Sequence, residues 1–122
     1  MARVVITPHK VGRVNAAMTA VANTALFTAV DAADGAEFVM NSRDDKTLVL
    51  VQNSASSEGS VTVKAGNGIQ GVADLTVSIP ASSTTALVLD SGRYKNVSGP
   101  DRGKVVVLGG AATIKLGVIV LP

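Results

Sequence analysis

Apolar and polar residues alternate along three stretches of the chain: Val61-Thr62-Val63-Lys64, Leu75-Thr76-Val77-Ser78-Ile79 and Ile114-Lys115-Leu116-Gly117-Val118. Successive side chains of extended backbone point to opposite faces, so each stretch predicts a strand with one apolar and one wet face. Three further runs, Leu48-Val49-Leu50-Val51, Ala86-Leu87-Val88-Leu89 and Val105-Val106-Val107-Leu108, are apolar without a break. They fit strands covered on both sides, either centrally in a sandwich or beneath a neighbouring subunit. Turn residues separate the runs at Asp34-Gly35, Ser54 to Gly59, Gly66-Asn67-Gly68, Pro80 to Ser83, Ser91-Gly92, Ser98-Gly99-Pro100 and Gly109-Gly110. Gly and Asn tolerate positive φ and Pro presets a turn, so each cluster can reverse the chain. The spacing predicts an all-β single domain over residues 25–122, a β-sandwich or small jelly-roll-like barrel of about eight or nine short antiparallel strands.

Residues 1–24 follow another pattern. Val14, Ala17, Met18, Val21, Ala22 and Ala25 fall at helical spacing, but the apolar groups are mostly small and Thr and Asn interrupt them. Two readings stand: a short amphipathic helix, or an extended N-terminal arm that reaches another subunit or pairs with a sheet edge. The apolar start Val4-Val5-Ile6 is cut by Pro8, His9 and Lys10 before it reaches signal-peptide length. Val105 to Leu121 is broken by Gly109-Gly110 and carries Lys115, so strands are expected there and no membrane span.

Length and charge then narrow the function. A chain of 122 residues holds one core. Only 16% of it is charged, against about a quarter in an ordinary soluble domain, so part of the surface is expected to lie under a partner. The net charge of +2 is scattered and aromatic residues are 2%, which argues against nucleic-acid binding. Cysteine is absent, which removes disulfides, thiolate metal sites and thiol catalysis and leaves the redox compartment open.

Candidate chemistry is thin. Gly66-Asn67-Gly68-Ile69-Gln70-Gly71 matches the letters of a dinucleotide-binding fingerprint, with Asp90 near the position of a ribose-binding carboxylate. The residues that follow alternate as a strand and end at Pro80, whereas a pyrophosphate site needs a helix there, so the segment reads as a glycine-rich turn. His9 is the only imidazole, and it lies in the arm as a solvated side chain. Asp31, Asp34, Asp44 and Asp45 read as turn residues that bind local backbone N–H groups, and Phe27 and Phe38 as core. No catalytic residue, metal or cofactor is expected.

The region from Asp34 to Pro122 resembles the small all-β decoration (cement) proteins of tailed bacteriophage heads. The likeness rests on Asp34-Gly35-Ala36-Glu37-Phe38, Leu48 to Asn53, Val61 to Gly66, Ile79-Pro80-Ala81, Ser91-Gly92-Arg93-Tyr94 and the closing run Ala112 to Pro122. Proteins of this type are expected to turn on Pro-Ala-Gly. Here Ala81 is followed by Ser82-Ser83, which predicts a longer turn. The resemblance implies a virion component without enzymatic activity, made in the bacterial cytoplasm. It would bind the major capsid protein on the capsid surface and commonly form a homotrimer. Candidate contacts on the arm are Arg3, Val4, Val5, Ile6, Lys10, Arg13 and Met18; late in the chain they are Arg93, Tyr94 and Arg102. Competing readings are a neck, tail or minor head ring subunit and a carbohydrate-binding β-sandwich, the latter weakened by the absence of Trp.

Overall fold

The computed structural model describes residues 3–109, 111 and 113–122. They form an all-β domain of two stacked sheets that do not close into a barrel. The strands are β1 (Val4–Val5), β2 (Pro8–Lys10), β3 (Thr28–Ala29), β4 (Ala36–Val39), β5 (Thr47–Asn53), β6 (Gly59–Val63), β7 (Leu75–Ile79), β8 (Ser83–Leu87), β9 (Lys104–Leu108) and β10 (Ile114–Val120). Single helical turns occur at α1 (Asn23–Leu26) and α2 (Ser91–Tyr94). One sheet has the order β1-β4-β9-β6-β7; the other has β2-β10-β5-β8, with β3 also on β10.

Period-two patterning makes the core. Ala36 and Phe38, Val61 and Val63, and Val105 and Val107 are buried from the first sheet, against Val49, Val51, Ile114, Leu116 and Val118 from the second. Full burial of an aliphatic or aromatic side chain contributes about 1.5–3 kcal/mol, and this layer supplies most of the stabilisation. Most connections cross from one sheet to the other, and two short ones do so between the sheets' outer strands at opposite sides. Ile6-Thr7 leads from β1 to β2, and Pro80-Ala81-Ser82 leads from β7 to β8.

Several expectations change. Most pairings are antiparallel, but β1–β4 and β2–β10 are parallel, because the N-terminal segment runs up one side of both sheets. Of the two readings for this segment, residues 4–10 follow the extended one, pairing with a sheet edge of their own domain through β1 and β2. Ile6 is 2% exposed and its N–H donates to Glu37 O at 2.8 Å, so its expected role as a partner contact gives way to a core role. The helical spacing of Val14 to Ala25 yields only the turn α1, which has no side-chain N-cap and no buried residue. Residues 11–22 are irregular and mostly exposed.

Of the three unbroken runs, Val105-Val106-Val107 is covered on both sides. In β5 only Thr47, Val49, Val51 and Asn53 are buried, and the outward Leu48 and Leu50 are half-covered. The third run lies at an edge: Leu89 is buried, while Ala86 and Val88 are exposed. Phe38 is a core residue as expected, whereas Phe27 is half-buried. The Pro80 turn stays at three residues, with Ser82 at φ 53°, the left-handed region a glycine would occupy without strain.

Candidate contact surface

Three connections meet at one end of the sandwich: β4–β5, β6–β7 and β8–β9. Their backbones are tied together by polar side chains. Asp44 Oδ2 accepts from Ser91 N at 3.0 Å, which docks the β4–β5 link on α2. Asp90 caps α2 by accepting from Gly92 N at 2.8 Å. Asn67 spans two loops, accepting from Val97 N at 2.7 Å and donating to Ser98 O at 2.9 Å. Gly66 N donates to Arg93 O at 2.8 Å, and a Cβ on Gly66 would meet Lys95 O at 2.5 Å. Glycine is required there because two backbones touch. The fingerprint-like segment is thus a packed turn that leads into strand β7, as the alternation predicts.

Tethered loops of this kind present their remaining side chains rigidly. Ile69 is 100% exposed, Val72 84% and Val97 54%. Between them lie two shallow clefts. One, of about 310 Å³, is lined by Gln70, Val72, Asp90 and Arg93. The other, of about 430 Å³, includes Lys95, Val97 and Arg102 among its walls. Val72 shares the first cleft with Arg93 and Val97 the second with Arg102, while Ile69 stands clear of both, and such apolar side chains beside arginines suit a protein contact surface.

The expected contact residues are distributed unevenly around this end. Arg93 and Arg102 are exposed within it, while Tyr94 is half-buried against the core. Arg3 joins it from β1's end: its guanidinium lies 3.0 Å from Asp101 and 3.6 Å from Glu37, which Lys104 also meets at 2.7 Å. Val4 packs against the core and Val5 is exposed. Lys10 ends β2, on the same side of the sandwich as β1, and Arg13 and the half-buried Met18 follow it in the irregular segment 11–22. The sequence reading missed Ile69, Val72 and Val97. A branched apolar residue inside Gly-Asn-Gly-Ile-Gln-Gly, with no alternating partner, was the available sign.

Of the four carboxylates expected to bind local backbone, Asp31 does so, whereas Asp44 reaches Ser91 N, Asp45 pairs with the Arg43 guanidinium at 3.1 Å, and Asp34 Oδ2 is buried with no hydrogen-bond partner among the described residues. Asp31 Oδ1 accepts from Ala33 N and Asp34 N, each at 2.9 Å, and the Asp34 and Ala33 amides hold its pKa below 3.8. Asp74 accepts from Ala65 N at 2.7 Å and from Lys64 Nζ at 2.9 Å, and its pKa is lowered first by the amide and then by the ammonium group. His9 belongs to β2, paired with Ile119, and is half-buried rather than solvated. Among the described residues no three His, Cys, Asp or Glu side chains gather as a metal site. A larger cavity of about 570 Å³ lies apart from the loop end, beside Phe27, Gln52 and Lys115. No helix of the described residues is long and apolar enough to cross a membrane. Comparison with protein-family models, curated proteins and solved structures finds no match to this chain.

Proposed function

We propose that this chain is a non-enzymatic decoration protein of a tailed-bacteriophage head, which binds the major capsid protein on the outer shell and holds adjacent capsomers together as a homotrimer. The observation that carries the reading is the loop end, where Ile69, Val72 and Val97 stand exposed, Val72 beside Arg93 and Val97 beside Arg102. Apolar anchors with an arginine rim match the composition of protein interfaces. The ordered series of segments from Asp34 to Pro122 gives the reading its phage context. The low charge fits a surface that spends its working life covered.

On this reading the protein adds contact area across joints that internal pressure opens. A standard interface buries about 1,600 Å², and threefold repetition raises its strength by avidity. The test is co-sedimentation with purified shells. Ile69→Asp, which changes a side chain exposed in the free protein, should weaken binding at least tenfold, about 1.4 kcal/mol, while leaving thermal stability unchanged. Wild-type affinity for Ile69→Asp and for Val72→Asp alike would remove the loop end from the interface.

A further inference from the structure

Strand β8 (Ser83–Leu87) closes one end of its sheet and pairs with β5 alone. An edge strand presents a row of unpaired backbone donors and acceptors, and proteins ordinarily guard such rows with lysine, proline, a bulge or a covering loop. Ser83-Thr84-Thr85-Ala86-Leu87 contains neither charge nor proline. Its outward residues are Thr84 and Ala86, and Ala86 with the exposed Val88 beyond the strand forms an apolar strip at the end of the edge.

The opposite end of the same sheet carries the complementary feature. Residues 11–22 leave β10 after Val11 N donates to Val120 O at 2.9 Å, and they return at α1, where Leu26 O lies against Gly117. Between these anchors, among the described residues, no backbone hydrogen bond is made by residues 12–21. Ala16-Ala17-Met18-Thr19-Ala20-Val21-Ala22 is uncharged and irregular, with five of its seven residues exposed. Structureless loops of about 12–15 residues or more are uncommon in compact domains and are usually functional or linker segments.

We infer that Ala16–Ala22 of one copy adds as a strand to the β8 edge of a second copy. Donor and acceptor edges sit at opposite ends of the sheet order β2-β10-β5-β8, so one copy cannot satisfy its own β8. Neighbouring copies can. Both segments are neutral, so no charge is buried on pairing, and Met18 and Val21 bring apolar groups to the strip at Ala86 and Val88. Of the other sheet ends, β7 turns Thr76 and Ser78 outward and lacks that strip, β1 is only two residues long, and β2 carries Pro8 and Lys10. Such a contact is head-to-tail, and it closes into a ring when the rotation between copies permits. The inference rests on the oligomeric subunit reading and supplies the joint that reading leaves unspecified.

The experiment is sedimentation equilibrium of the full chain at tens of micromolar, with hydrogen exchange on the same samples. Wild type should sediment as an oligomer, with amides of residues 16–22 and 83–87 gaining protection as concentration rises. Thr19→Pro removes a donor that has no partner in the single copy, and Ala86→Lys places a guard on the edge. Each should weaken association at least tenfold while leaving the melting curve of the monomer unchanged. A monomeric wild type, an oligomer whose two segments exchange as freely as at high dilution, or variants that associate like wild type would overturn the inference. Should either variant fail to fold, protection in the wild type decides alone. Shell co-sedimentation separates the two proposals: a monomer that pellets with shells defeats only the strand exchange, and a strand-exchanged oligomer that ignores shells defeats only the capsid reading.

Discussion

Asn53 shows how much of this fold depends on single polar atoms. It is 1% exposed at the end of β5, where its amide nitrogen donates to Ser57 O at 3.0 Å and Ile79 O at 3.1 Å, and its oxygen accepts from Ala55 N at 3.0 Å. One side chain thereby holds the 54–58 turn and the end of β7. Asn53→Ala leaves those backbone groups without their partner, and the expected loss of stability is about 2–3 kcal/mol in urea unfolding. The run Leu48 to Asn53 marks the strand in sequence but not this role, because one of the amide's partners, Ile79 O, comes from a segment 26 residues away. Ser82 is the converse case, a residue held in left-handed backbone at φ 53°. Ser82→Gly should raise stability by about 0.5–1 kcal/mol, since relief of the steric cost is partly offset by the greater freedom of glycine in the unfolded chain. Thermal unfolding checks it.

At the level of elements, alternation located β6, β7 and β10 because a strand with one buried face writes its period directly into the sequence. Unbroken apolar runs were less informative. Leu48 to Val51 and Ala86 to Leu89 contain outward residues that are only half-covered or exposed, and the composition of a run does not say which neighbour lies above it. The N-terminal strands β1 and β2 were not legible. Two- and three-residue strands are too short to show a period, and their parallel pairing depends on segments more than thirty residues further along the chain. Of the four carboxylates expected to bind local backbone only Asp31 does so, and together with Asp74 it gives a pH prediction. Asp31 and Asp74 titrate below 3.8 in the folded protein, so the stability they confer is complete above that value and is lost as pH falls through the folded pKa. Asp74→Asn should be less stable than wild type at neutral pH, and the gap should close in acid melts taken below pH 3.8.

For the whole molecule, the sandwich has one functional-looking end and two unlike sides. The loop end gathers segments from residues 40–46, 64–74 and 88–103, a convergence no linear reading contains, which is why Arg93 and Arg102 were found and Ile69, Val72 and Val97 were not. Fold class was legible because turn spacing and β-type composition agree along most of the chain. The site was only partly legible, since exposure of an apolar side chain is set by the loops packed around it. The proposed function takes the few charges and the exposed apolar groups of the loop end as a surface for contact with other proteins.

The most direct test of that claim is the saturation of purified, undecorated phage heads with the wild-type chain, followed by pelleting and quantitation of bound protein. The account predicts saturable binding at a fixed number of copies per shell that matches its symmetry axes. Absence of the chain from the pellet at every concentration would contradict it.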